Sequence, residues 1–158
     1  MPVDRADSLW SLAIEGFPSY LHLPVLAEDL GSEWYNRFLA WMEERYLEMR
    51  QTGTDRRGNP LPPEIPLLSI DADKMSTYKD EFVLDDRVLL FFNYLYSRMG
   101  RESFFAFTSE TLNRDRLTVA LFRQLIEQYL PGSTADVNLW LTTNDYPERL
   151  HFAHYEMK

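Results

Sequence analysis

Apolar residues recur along this chain at intervals of three and four, the spacing that gathers side chains on one face of an α-helix. From Ala6 to about Leu30 they fall on every side of the wheel, with Trp10, Ile14, Phe17 and Leu21 on one face and Leu9, Leu12, Ala13 and Tyr20 on another. A helix that is apolar all round is a buried one. Pro18 and Pro24 lack the amide hydrogen that an interior position donates, so they are expected to kink or divide it. A second helix is expected to follow Gly31, with Ser32 as its N-cap and Trp34, Phe38, Met42 and Tyr46 at four-residue steps as far as Gly53. Its other face carries Glu43, Glu44 and Glu48.

Between Gln51 and Ser69 the periodicity lapses. Two glycines and Pro60, Pro62, Pro63 and Pro66 predict an irregular loop, pinned to a surface by Leu61, Ile65 and Leu67. A loop of this length inside a domain is usually functional or mobile. The helical pattern returns in Leu84, Val88, Phe91, Leu95 and Met99 and closes at Gly100, the residue that most easily ends a helix. Phe104, Phe107 and Thr108 predict a shorter helix. Thr118 then caps another, carrying Leu121, Phe122, Leu125, Ile126 and Tyr129, and Pro131-Gly132 stops it. Ser133 with Asp136 three residues on reads as a capping box opening a last short helix through Trp140. Beyond Tyr146, the alternation of Leu150, Phe152 and His154 reads as the start of a strand. The fold class expected is mainly α and multi-helical, a single domain over 1–158: a helix within 1–30, a Pro-rich region at 51–80, a helical part at 81–147 and a tail at 148–158.

Composition narrows the function classes. The chain has 158 residues, 25 acidic against 16 basic, a net charge of −9 and no cysteine. A chain of this length buries roughly 70% of the surface that its unfolded form exposes, so its core needs no disulfide or structural metal. Zero cysteine removes disulfide frameworks, thiolate zinc sites and cysteine nucleophiles together. Phosphate-backbone binding needs clustered Lys and Arg, so neither nucleic acid nor an anionic membrane surface is an expected partner. No apolar run approaches the roughly 18 residues of a membrane span. Asp4, Asp7 and Glu15 stand where a signal peptide would be basic and then apolar, which makes the cytoplasm the expected compartment.

One stretch carries a more specific pattern. Glu15 shares a polar stripe with Ser8, Ser11, Ser19 and His22 on an otherwise apolar helix, so its carboxylate either looks along a groove or sits on a solvated edge. The run Trp10-x-x-x-x-Glu15-Gly16-Phe17-x-x-Tyr20-Leu21 resembles the Trp-Leu-x-Glu-Gly-Phe-Ala-x-Tyr signature of the membrane alanyl aminopeptidases, the gluzincin metallopeptidases. Trp10 lies further from Glu15 than in that signature, and Pro18 replaces its small residue. Leu89-Leu-Phe-Phe-Asn-Tyr-Leu95 through Met99-Gly100, the helix from Thr118 to Tyr129, and Trp140-Leu141 through Tyr146-Pro147 are similar in order to later segments of that family. The resemblance runs from about Ser8 to Pro147 and implies the helical half of a thermolysin-like catalytic domain.

What the resemblance implies for chemistry is partial. It makes Glu15 the third ligand of a zinc ion and a tyrosine the donor to the tetrahedral oxyanion. Tyr78 falls at the tyrosine's place counting forward from Glu15; Asp85 falls there counting back from Gly100. The other two zinc ligands would come from His-Glu-x-x-His, which is absent from these 158 residues. Of the three histidines, His22 is two helical turns from Glu15, roughly 10 Å along the axis, and His151 and His154 fall in the expected tail. The acidic run Asp80-Glu81 and Asp85-Asp86 reads either as a cation or acid–base site or as carboxylates complementing a helix N-terminus. Two functions are therefore expected as alternatives. One is an aminopeptidase-like domain with an incomplete zinc site, acting on peptides only once that site is completed. The other is a non-catalytic helical domain that binds a partner chain or a second copy of itself.

Overall fold

A computed structural model describes residues 9, 17–55, 57–61, 64, 66–69, 81–144 and 146; within them, the side chains of Ser19 and of residues 81–85 are not described. Among the described residues the architecture is helical, with six α-helices and no strand beyond a single bridge, Thr54 to Pro60. They are α1 (Phe17–Leu30), α2 (Ser32–Thr52), α3 (Glu81–Met99), α4 (Arg101–Leu112), α5 (Val119–Tyr129) and α6 (Thr134–Thr142). The part of the expected first helix before Phe17 and the expected strand beyond Tyr146 lie outside the described residues. The mainly α class holds.

Helix α3 is the centre of the fold. It packs against α1, α2 and α4, and its residues Asp86 to Tyr96 are buried except for Leu89, which is half-buried. The stripe Val88, Phe91 and Leu95 is buried as its spacing predicts, but so are Leu90, Phe92, Asn93, Tyr94 and Tyr96 around the rest of the helix. Helices α1 and α2 pack together on one side; α4 follows α3, α5 packs on α4, and α6 lies beside α5 and a 3-10 turn at Leu67–Ser69.

Two glycines make the sharpest reversals. Gly31 (φ 89°) donates its N–H to Ala27 O at 2.9 Å and accepts from Tyr35 N at 3.2 Å, so it ends α1 and begins α2 in one residue. Gly100 (φ 76°) does the same between Tyr96 and Phe104. Both lie in the left-handed region that a side chain makes costly.

Four expectations are corrected. Pro18 and Pro24 do not divide α1: Pro18 sits in its first turn, where no N–H is required, and α1 runs unbroken through Pro24. Ser32 is the first residue of α2 and not its cap; Gly31 holds that place and no side chain caps it. The buried stripe of α2 is Tyr35, Leu39, Met42, Tyr46 and Met49, stepping four, three, four, three, whereas Trp34 and Phe38 are half-buried. A strict step of four overshoots the 3.6-residue turn and walks off the buried face. Ser133 makes no capping bond, and its hydroxyl is buried without a partner among the described residues. The Glu127 carboxylate takes its place, accepting from Gly132 N at 2.6 Å and Thr134 Oγ1 at 2.7 Å.

Candidate functional site

The start of α1 is fixed by its aromatic rings. Phe17 packs on Phe92 with centroids 4.7 Å apart and touches Phe107 and Phe122 at 6.3 Å. Tyr20 is fully buried against Phe92 and Phe104, and its hydroxyl lies 2.6 Å from that of Tyr35. One hydroxyl donates to the other, whose own proton goes to Asn93 Oδ1, 3.0 Å from the Tyr35 hydroxyl and 3.2 Å from that of Tyr20, which ties α1, α2 and α3 together at one buried point. Two residues of the motif around Glu15 are thus core residues.

Glu15 and Tyr78 themselves lie outside the described residues, as do His151 and His154. Asp85 is placed on α3, but its side chain is not described. His22 is exposed on α1. Among the described residues, which include neither Glu15 nor Tyr78, no three His, Asp or Glu side chains converge as a metal-binding group.

Asp86 has a different role from the one its sequence suggests. Helix α3 begins at Glu81, so Asp86 lies beyond the first turn, and it is buried instead of facing the helix N-terminus in solvent. It takes both Nε and Nη2 of Arg45, which joins α2 to α3.

The richest cluster of ionisable groups forms where α2, α3, the Pro-rich loop and the end of α6 meet. Arg87, 1% exposed on its side chain, donates Nη1 to Glu64 Oε1 and Nη2 to the carbonyls of Trp140 (3.2 Å) and Thr143 (2.6 Å). Those carbonyls belong to the last turn of α6, whose free acceptors and negative dipole end favour a cation. Arg50 Nε donates to Glu64 Oε2 at 2.5 Å, and its Nη2 to Asn144 O at 2.7 Å. The Tyr46 hydroxyl donates to Glu64 Oε1. Nearby, Tyr146 donates to Glu43 Oε1 at 2.6 Å, its ring set between those of Tyr46 and Trp140.

These surroundings suppress phenol ionisation. Burial raises the Tyr46 pKa well above the phenol range; the Arg87 charge opposes that rise, and Glu64 adds to it. Burial and the bond to Glu43 raise Tyr146 in the same way. Two turns further along α3, burial and the Asp136 carboxylate push Tyr94 up to about 12. The cluster holds its charges in mutual pairs, and its chemical capacity is recognition of a carboxylate by two guanidinium groups and a phenol.

Sequence reasoning passed over Glu64, Arg87, Arg50 and Tyr46 as a group. The available signals were a single carboxylate among four prolines and an arginine opening the apolar run Val88-Leu89-Leu90-Phe91-Phe92. A charge that far inside an apolar pattern needs a partner, though the pattern does not say which.

No family model, no curated protein and no solved structure matches this chain.

Proposed function

We propose that this chain is a gluzincin aminopeptidase-like helical domain with an incomplete zinc site, which does not hydrolyse peptides by itself. The observation that carries the reading is the anchoring of the Glu15 motif. Phe17, two residues after Glu15, is locked among Phe92, Phe107 and Phe122, and Tyr20 is locked by Tyr35 and Asn93. A carboxylate joined so closely to rigid packing suits a ligand supplied to a metal whose remaining ligands come from elsewhere. The resemblance gives Glu15 that role and Tyr78 the role of oxyanion donor. Elemental analysis and calorimetry with zinc test the proposal. The expected result is no aminopeptidase activity from the chain alone, and tight zinc only when a polypeptide bearing His-Glu-x-x-His is added, with that zinc lost in Glu15→Ala. Zinc binding unchanged by Glu15→Ala overturns it.

A second reading, a non-catalytic dimerisation domain, is favoured by the outer face of α1. Val25 and Leu30 there are 55% and 54% exposed, with Leu26 beside them. Sedimentation of the wild type against Leu30→Ser tests this reading: a dimer that dissociates in the variant supports it, and a monomer in both rejects it.

A further inference from the structure

We propose that two copies of this chain associate through α1 laid antiparallel on α1 of the second copy, with His22 of each set against Asp29 of the other. The proposal rests on the dimerisation reading of α1 and adds the direction of the helices, their register and the polar pairs that fix both.

Helix α1 has an inner and an outer face. Phe17, Tyr20, Leu23 and Ala27 are buried, at steps of three, three and four. On the opposite side His22, Val25, Leu26 and Asp29 follow at steps of three, one and three, which gathers them in one stripe of the helix surface. Val25 is 55% exposed and Leu26 40%, and His22 and Asp29 are exposed beside them. Leu30, 54% exposed, continues the stripe one turn beyond Leu26. Glu28 at the same end is paired with Arg101 of α4, so Asp29 is the carboxylate that the outer face offers.

This stripe is complementary to itself when reversed. About a two-fold axis between Val25 and Leu26, antiparallel helices bring Val25 and Leu26 of both copies together at the centre and set His22 against Asp29 at each end, so that every contact occurs twice. Apolar meets apolar, and an imidazole N–H meets a carboxylate. Leu30 then lies at nearly the same level as His22 of the second copy and shields the polar pair. Parallel helices would instead set Asp29 against Asp29 and His22 against His22, which are like pairs. A slip of one turn in either direction, by three or four residues, puts Asp29 or His22 level with Val25 or Leu26 and leaves the polar pair unmade. A second copy therefore matches this face in both charge and apolar pattern, in one direction and one register. The seam is a single helix of 14 residues from each side, a small interface, so the dimer should dissociate on dilution.

The chain has no cysteine, so single cysteines report the geometry. Val25→Cys stands beside the axis and should cross-link rapidly to its own copy under mild oxidation. Leu30→Cys stands more than roughly 10 Å along the helix from its copy, too far for a disulfide, and should not. His22→Glu brings two carboxylates together at each end and should raise the dimer dissociation constant by about tenfold or more. Adding Asp29→Lys to it should restore the wild-type value. All of these positions are exposed, so the variants keep the fold. Sedimentation of the wild type from micromolar to millimolar concentration tells the two failures apart. A monomer throughout ends the dimerisation reading and this proposal together. A dimer in which Leu30→Cys cross-links as fast as Val25→Cys, in which neither cross-links, or in which the double variant is as weak as His22→Glu, leaves that reading standing and overturns the proposed seam.

Discussion

Arg45 and Asp86 meet side by side, with Nε 3.0 Å from Oδ2 and Nη2 on Oδ1, and they join α2 to α3 through a carboxylate only 2% exposed. The partners are not equally buried: Arg45 is 16% exposed and stacks over the Trp41 ring at 4.4 Å. Losing either partner should therefore have unequal effects. Arg45→Met leaves a buried carboxylate without its cation and should cost about 3–5 kcal/mol. Asp86→Ala leaves an arginine that can turn towards water and should cost less. Urea denaturation of both variants checks the order; equal losses would contradict the asymmetry.

The Tyr20, Tyr35 and Asn93 triad predicts coupling between helices. Each hydroxyl sits within hydrogen-bonding reach of the other and of the same amide oxygen, all of it buried. Tyr20→Phe and Tyr35→Phe should each cost about 1–2 kcal/mol. Together they should cost less than the sum, with a coupling of about 0.5 kcal/mol or more, because the second loss removes a bond already broken. Additive losses in the double-mutant cycle would show that the two hydroxyls act separately.

Alkaline pH should destabilise the fold through its phenols. Tyr46, Tyr94 and Tyr146 are raised by burial, Tyr94 to about 12. Their folded pKa values lie above the unfolded value of about 10, so the stability they confer is complete below that value. It is lost as pH rises from there through the folded values. Ultraviolet titration of phenolate should show these three of the nine tyrosines ionising only as the fold opens. Full ionisation of all nine while helical circular dichroism is unchanged would refute this.

Much of the helical framework was legible in the sequence because helix ends announce themselves locally. Gly53 and Gly100 close their helices, and Thr118 caps α5 through a bond from Leu121 N at 3.2 Å. The stripe Val88, Phe91 and Leu95 was equally plain, but one face of a pattern cannot reveal that Leu90, Phe92 and Tyr96 are buried as well; that follows from packing on several helices at once. The Ser133 cap failed for a related reason: Glu127, six residues earlier, reaches the start of α6 across the Pro131-Gly132 turn, accepting from the Gly132 N–H and the Thr134 hydroxyl. Candidate chemistry was less legible still. The cluster around Glu64 is assembled from residues 18, 14 and 23 positions away from its carboxylate, and no local spacing encodes it.

Glu127 predicts the acid limb of stability. Its carboxylate accepts from the Gly132 N–H and the Thr134 hydroxyl, and these bonds hold its pKa below the ordinary glutamate range, the Gly132 bond contributing most. The charged form also complements the positive end of α6. A folded pKa below the unfolded one means the contribution is complete above the ordinary glutamate value and disappears as pH falls through the folded value. Glu127→Gln keeps an acceptor oxygen but no charge, so it should be less stable than wild type at neutral pH and match it in acid. Thermal melts of the two proteins across that range should converge as pH falls. A constant gap would assign the effect to shape and hydrogen bonding rather than to charge, and a gap that widens in acid would reverse the sign of the argument.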